Sequence, residues 1–66
     1  AAMQRLELLR ERLVESDDVL TELIADKPEL PISELRTLIR NARREKEQNK
    51  PPKAFRELFQ LLKQHH

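Results

Sequence analysis

The chain has 66 residues, with 13 Lys and Arg against 12 Asp and Glu, a formal net charge of +1, 38% charged residues and neither Cys nor Gly. A chain of this length buries only about 60% of the surface it exposes when unfolded, which leaves little room for a deep catalytic cleft. The lack of Cys removes a disulfide framework, a thiolate nucleophile and a zinc knuckle, and no apolar run approaches the roughly 20 residues that cross a bilayer.

Pro at 28, 31, 51 and 52 divides the chain, and the stretches between have helical periodicity. The opening "AAMQRLELLRERL" is amphipathic and charged, unlike a signal peptide, so the chain is expected to be soluble and cytoplasmic. It starts without Met and runs at once into helical pattern, which suggests a piece of a longer protein. Met3, Leu6, Leu9 and Leu13 recur at spacings of three and four, predicting one apolar face widened by Leu8 and Val14. "SDD", Ser16 to Asp18, supplies oxygens that can accept from free amides at the start of a second helix carrying Val19, Leu20, Leu23 and Ile24. That helix is expected to stop near Asp26, because Pro28 disfavours helical geometry at Lys27. "KPELPIS" is a short linker in which Pro31 and Ser33 are equally good starts for the next helix.

A third helix is predicted from about Ile32 to Gln48, with Leu35, Leu38, Ile39 and Ala42 as its core stripe. Stepping about 100° per residue from Leu35 puts Arg43, Arg36 and Arg40 near 80°, 100° and 140°, and Arg44 near 180°. Basic residues therefore form a second stripe beside the apolar one, with Thr37, Asn41 and Gln48 on the remaining wet face. "NKPPK" ends this helix, and a fourth begins near Lys53 with Phe55, Leu58, Phe59 and Leu62 toward the core. The expected fold is all-α, a small bundle of three to four helices forming one domain over residues 1–66.

The near-neutral total is a sum of unlike parts. Residues 1–35 carry four basic and nine acidic side chains, a balance of −5; residues 36–56 carry eight basic and two acidic, a balance of +6; Glu57 and Lys63 then cancel. Arg36, Arg40, Arg43 and Arg44 stand about one helical turn apart, and Lys46, Lys50, Lys53 and Arg56 carry the charge through the Pro-Pro turn. Such a line suits a phosphate backbone, and Arg adds bidentate contacts and stacking. An acidic protein partner and plain solvation fit the same charges. Glu47, four residues beyond Arg43, and Glu45 between basic neighbours compensate part of it. Phe55 and Phe59 are the only aromatics and share the apolar face, which favours recognition of RNA backbone and shape over stacking on unpaired bases.

Catalytic chemistry is not expected. His65 and His66 are adjacent without a helical carboxylate, so no metal site is assigned, and they read equally as native residues or a purification-tag stub. Asp17 and Asp18 face different directions and are read as caps, not a carboxylate dyad. There is no Gly-rich phosphate loop, and Ser16 and Ser33 have no neighbouring His, so neither an enzyme nor a cofactor is predicted.

"LRTLIRNARREKEQNKPPK", with "LELLRERLVESDD" upstream and "FRELFQLLK" downstream, resembles the C-terminal signature of the DarP family, the dual-action ribosomal maturation proteins of proteobacteria. The resemblance covers essentially the whole chain but about the last third of a typical member. It implies the C-terminal lobe of a two-lobed helical protein that associates with late large-subunit (50S) precursors. There it would help the 23S rRNA around the peptidyl transferase centre reach its mature fold. The signature's basic residues fall on Arg36, Arg40, Arg43, Arg44, Lys46, Lys50 and Lys53; Arg43 and Arg44 stand where some relatives have Lys, and Arg56 lies in a more variable segment. The resulting expectation is a non-enzymatic assembly factor binding 23S rRNA through the basic stripe, with no membrane or small-molecule partner. The alternative is a helical adaptor docking an acidic protein. Oligomeric state stays open, since a seam once covered by another lobe gives a route to self-association.

Overall fold

The computed structural model describes residues 2–65, with side chains from residue 4 onward. The expected placement of Met3 on the apolar stripe and the reading of His66 lie outside the described side chains. Four helices follow one another: α1 (Ala2–Glu15), α2 (Asp17–Asp26), α3 (Ile32–Glu47) and α4 (Lys53–Gln64), with no strand among the described residues.

In α1, Leu6, Leu13 and Val14 are buried and Leu9 is half-buried, as the spacing requires. Leu8 does not widen the stripe: it is 60% exposed. Two positions from Leu6, it lies about 200° around the helix, on the far side from the core. Ser16 breaks the helix with extended backbone (φ −143°, ψ 135°), and its Oγ accepts from the Asp18 N–H at 3.3 Å. Asp17 and Asp18 put negative charge on the first turn of α2, where the helix dipole favours it. Lys27, held before Pro28 at φ −130°, ends α2 while its N–H still donates to the Leu23 carbonyl at 2.9 Å.

The linker contributes to the core. Leu30, an isolated apolar residue between Pro28 and Pro31, is only 4% exposed, and the Leu30 N–H donates to the Lys27 carbonyl at 3.2 Å. Pro31, not Ser33, occupies the cap position of α3: its φ of −73° is set by the ring, and its carbonyl accepts from the Leu35 N–H at 2.9 Å. The Ser33 carbonyl instead accepts from the Thr37 hydroxyl at 3.0 Å.

Leu35, Leu38, Ile39 and Ala42 form the predicted buried stripe of α3. Its C-terminus is a Schellman motif made without Gly. Asn49 takes the left-handed conformation (φ 57°), the Lys50 N–H donates to the Glu45 carbonyl at 2.9 Å, and the Asn49 N–H donates to the Lys46 carbonyl at 3.4 Å. Pro51 and Pro52 then redirect the chain, and α4 buries Ala54, Leu58, Leu61 and Leu62. Phe55 and Phe59 pack beside this core and are half-buried, with the guanidinium of Arg10 covering both rings at 4.0 and 4.7 Å from their centroids.

α3 packs most extensively on α4, α1 lies across both, and α2 leans chiefly on α1. Lys27 Nζ donates to the His65 carbonyl at 3.1 Å, fastening the linker to the end of α4. The core is a single apolar cluster drawing on all four helices and Leu30, and each fully buried Leu contributes about 1.5–3 kcal/mol. The assembly measures 31 × 26 × 18 Å.

A candidate nucleic-acid interface

The packing of α3 leaves its arginine stripe facing α2 across an open groove of ≈ 620 Å³. Arg36, Arg40, Arg43 and Arg44 line one side together with Glu47 and Gln48 at the end of α3, Asp17, Leu20 and Thr21 line the other, and Ile39 lies between. The stripe follows from sequence: four-residue steps from Arg36 through Arg40 to Arg44 advance about 6 Å each and keep the three heads near one another. All three side chains are exposed.

Arg43 has a different environment. Its Nε donates to the Val14 carbonyl at 2.7 Å, and one Nη donates to the Leu13 carbonyl at 3.2 Å and to Asp17 Oδ1 at 2.8 Å. The last turn of α1 has carbonyls with no helical donor, and a cation there is favoured by the dipole. Arg43 therefore staples the α1–α2 corner to α3 while presenting its outer edge to the groove. The charge compensation expected from Glu47 is supplied by Asp17 instead.

Lys46 lies 3.8 Å from Glu15, a pair with both side chains about two-thirds exposed (69% and 65%) and therefore weak. Arg36, Arg40, Arg44, Lys50, Lys53 and Arg56 make no ion pair with any described residue. Arg44 also lines a second depression of ≈ 310 Å³ with Asn41, Glu45, Lys50, Lys53 and Glu57, so the two recesses share one arginine. Of the eight basic residues picked out by sequence, the structure thus gathers four in the groove and links Lys50 and Lys53 to them through Arg44. Lys46 stands beside Arg43 next to Glu15, and exposed Arg56 lines neither recess.

Sequence reasoning missed three contributors. Thr21 and Leu20 form the facing wall, which no periodicity within α3 could reveal. Glu45, read as a compensating charge, accepts from the Ala54 N–H at 2.8 Å and so caps α4. Glu45 lies in the last turn of α3 and its target is nine residues on, across a Pro-Pro turn, a separation at which helical spacing carries no signal. Among the described residues no group of three or more His, Cys, Asp and Glu could hold a metal, and no helix is long and apolar enough to cross a membrane.

Fold and site together define a small all-helical protein with an arginine-lined open groove. The sequence profile of the family described as "Dual-action ribosomal maturation protein DarP" matches residues 1–63, and the chain belongs to this family. A relative of that name from Burkholderia cenocepacia (strain HI2424) is 54% identical over 63 residues, covering 96% of this chain and 31% of the relative. The one from Neisseria meningitidis serogroup B is also 54% identical over 63 residues, 38% of its length. That from Mannheimia succiniciproducens is 52% identical over 64 residues, 36% of its length. The chain thus spans about a third of the length of these curated relatives. No solved structure matches it.

Proposed function

We propose that this chain is the rRNA-binding, C-terminal lobe of a non-enzymatic ribosome maturation factor. In this reading it holds 23S rRNA of late large-subunit precursors through Arg36, Arg40 and Arg44, continued by Lys50 and Lys53, and favours the mature fold of the peptidyl transferase centre. The observation that carries the reading is the gathering of Arg36, Arg40 and Arg44 in one open groove, where they outnumber Asp17 and Glu47 and form no ion pair with a described residue. The name shared by the relatives supports the ribosomal setting. Lys46 and Arg56 extend the surface, and Arg43 contributes its outer edge. Selecting one RNA conformation over another needs only a difference in affinity between them, so no nucleotide hydrolysis is invoked.

The test is binding of the 66-residue chain to naked 23S rRNA and to purified large-subunit precursors across a salt series. If the six cations without an ion pair among the described residues each neutralise one phosphate, log K falls with log salt at a slope of magnitude roughly 4.2 to 5.4. Arg40→Glu with Arg44→Glu is expected to abolish binding and leave helix content unchanged. Binding that survives this reversal, or a reversal that melts the protein, overturns the reading. The adaptor alternative draws on the groove between α1 and α2, where Leu6, Leu9, Val19 and Leu23 lie among Arg5, Arg12, Glu22, Asp26 and Lys27; it predicts association that depends on the apolar residues and persists at high salt.

A further inference from the structure

Of the two lysines that extend the arginine stripe, Lys50 lies in the turn between α3 and α4 and Lys53 is the first residue of α4, so contacts across that turn fix how both sit relative to α3. One residue closes that segment from both sides. The carbonyl of Glu45 accepts from the Lys50 N–H at 2.9 Å, and its carboxylate Oε1 accepts from the Ala54 N–H at 2.8 Å. Residues 50 and 54 bracket Pro51, Pro52 and Lys53, and each is tied to the same position of α3. Pro52 offers no side-chain cap to α4. Glu45 supplies the missing acceptor from another helix.

Its surroundings set Glu45 apart from an ordinary surface acid. Arg44, Lys50 and Lys53 line the same depression, yet none forms an ion pair with it. The second carboxylate oxygen, Oε2, is buried without a hydrogen-bond partner. An acid placed to neutralise its basic neighbours would be expected to engage one of them. This carboxylate is turned toward backbone, and the cations around it keep their charge for something else.

We propose that Glu45 is a positioning residue for RNA: by clamping the Pro-Pro turn it holds Lys50 and Lys53 in line with Arg44, so that the two recesses form one continuous phosphate track. The proposal rests on the rRNA-binding reading above and adds a residue whose charge alone predicts the opposite effect. Removing an acid from a phosphate-binding surface should strengthen binding by relieving repulsion. Removing the clamp should weaken it.

The experiment measures binding of 23S rRNA by the 66-residue chain and its variants across a salt series, with helix content followed by circular dichroism. Glu45→Gln keeps an acceptor at the same reach and discards the charge; Glu45→Asp keeps the charge and withdraws it by one methylene; Glu45→Ala discards both. The expected result is near-parental binding by the Gln variant and about tenfold weaker binding by Asp and Ala. Their salt slopes should be shallower by roughly 1.4 to 1.8, the value of two phosphate contacts. In a Lys50→Ala, Lys53→Ala background, Glu45→Ala should cause no further loss. Binding by the Asp and Ala variants that equals or exceeds the parent's overturns the clamp alone and leaves the arginine surface standing. Failure of the parent chain to bind, or indifference to Arg40→Glu with Arg44→Glu, overturns the functional reading and the clamp with it. Should Glu45→Ala lose helix content, the Gln and Asp pair still decides, because they differ in reach and charge at nearly constant volume.

Discussion

α2 and α3 face each other across the arginine groove, and they are held in place by different means. α3 buries Leu35, Leu38, Ile39 and Ala42, packs along α4 and ends in a fully bonded Schellman turn. α2 carries Val19, Leu20, Leu23 and Ile24 in only ten residues, yet buries Leu23 alone. Apolar content therefore did not decide burial. The 3–4 spacing of α3 concentrates its apolar residues on one stripe that two neighbouring helices can cover. α2 spreads its apolar residues over a wider arc and leans mainly on α1, so part of that arc remains half-exposed. Leu23, with half-buried Val19 and Leu20 beside it, holds α2 to the core, and two polar contacts add to this: the Ser16 cap and the bond from Arg43 to Asp17.

This contrast can be broken in several ways. The largest effect is expected from Leu35→Ala, at a fully buried position of α3, which should lower unfolding stability in urea by about 2–5 kcal/mol. Leu20→Ala on half-buried α2 should cost less than about 2 kcal/mol; equal losses at the two sites would erase the distinction. Next comes Arg43→Ala. Freeing two partly buried carbonyls and Asp17 should cost about 1–3 kcal/mol, and amide exchange in α2 should quicken before that in α3. Ser16→Ala should have a milder effect of the same kind, about 0.5–1 kcal/mol, since its bond is long and exposed. Smallest is Arg40→Ala, expected within about 0.5 kcal/mol of the parent because its side chain is exposed and forms no ion pair with a described residue. If Arg40→Ala and Arg43→Ala destabilise alike, the division between a structural arginine and a binding arginine fails.

How much of this was legible in the sequence depends on whether the deciding contact is local. Helix limits were: the stop of α2 at Asp26 and the start of α4 at Lys53 follow from Pro28 and from Pro51-Pro52, and α3 ends at Glu47, one residue short of the expected Gln48. The α3 stripe was readable for the same reason, since its period lies within one element. Leu30 was not, because a lone Leu between prolines has no period to reveal its direction. Leu61 and Ala54 are buried where Phe55 and Phe59 were expected, and the two Phe pack at the rim of the core beneath Arg10 of α1. The basic surface was legible as a line of charge along α3. Its division of labour was not: the bonds of Arg43 to α1 span 29 and 30 residues, a separation at which spacing carries no information.

The left-handed turn at Asn49 has a consequence for the denatured chain. Nature commonly places Gly at such a position, and Gly widens the range of conformations open to an unfolded backbone. This sequence has no Gly anywhere and four Pro, so its unfolded ensemble is comparatively narrow and loses less entropy on ordering. Asn49 accepts a small local cost in the native turn and keeps the competing states fewer. For a core this small, the turn favours folding through the conformations it withholds from the disordered chain as well as through the bonds it makes in the folded one.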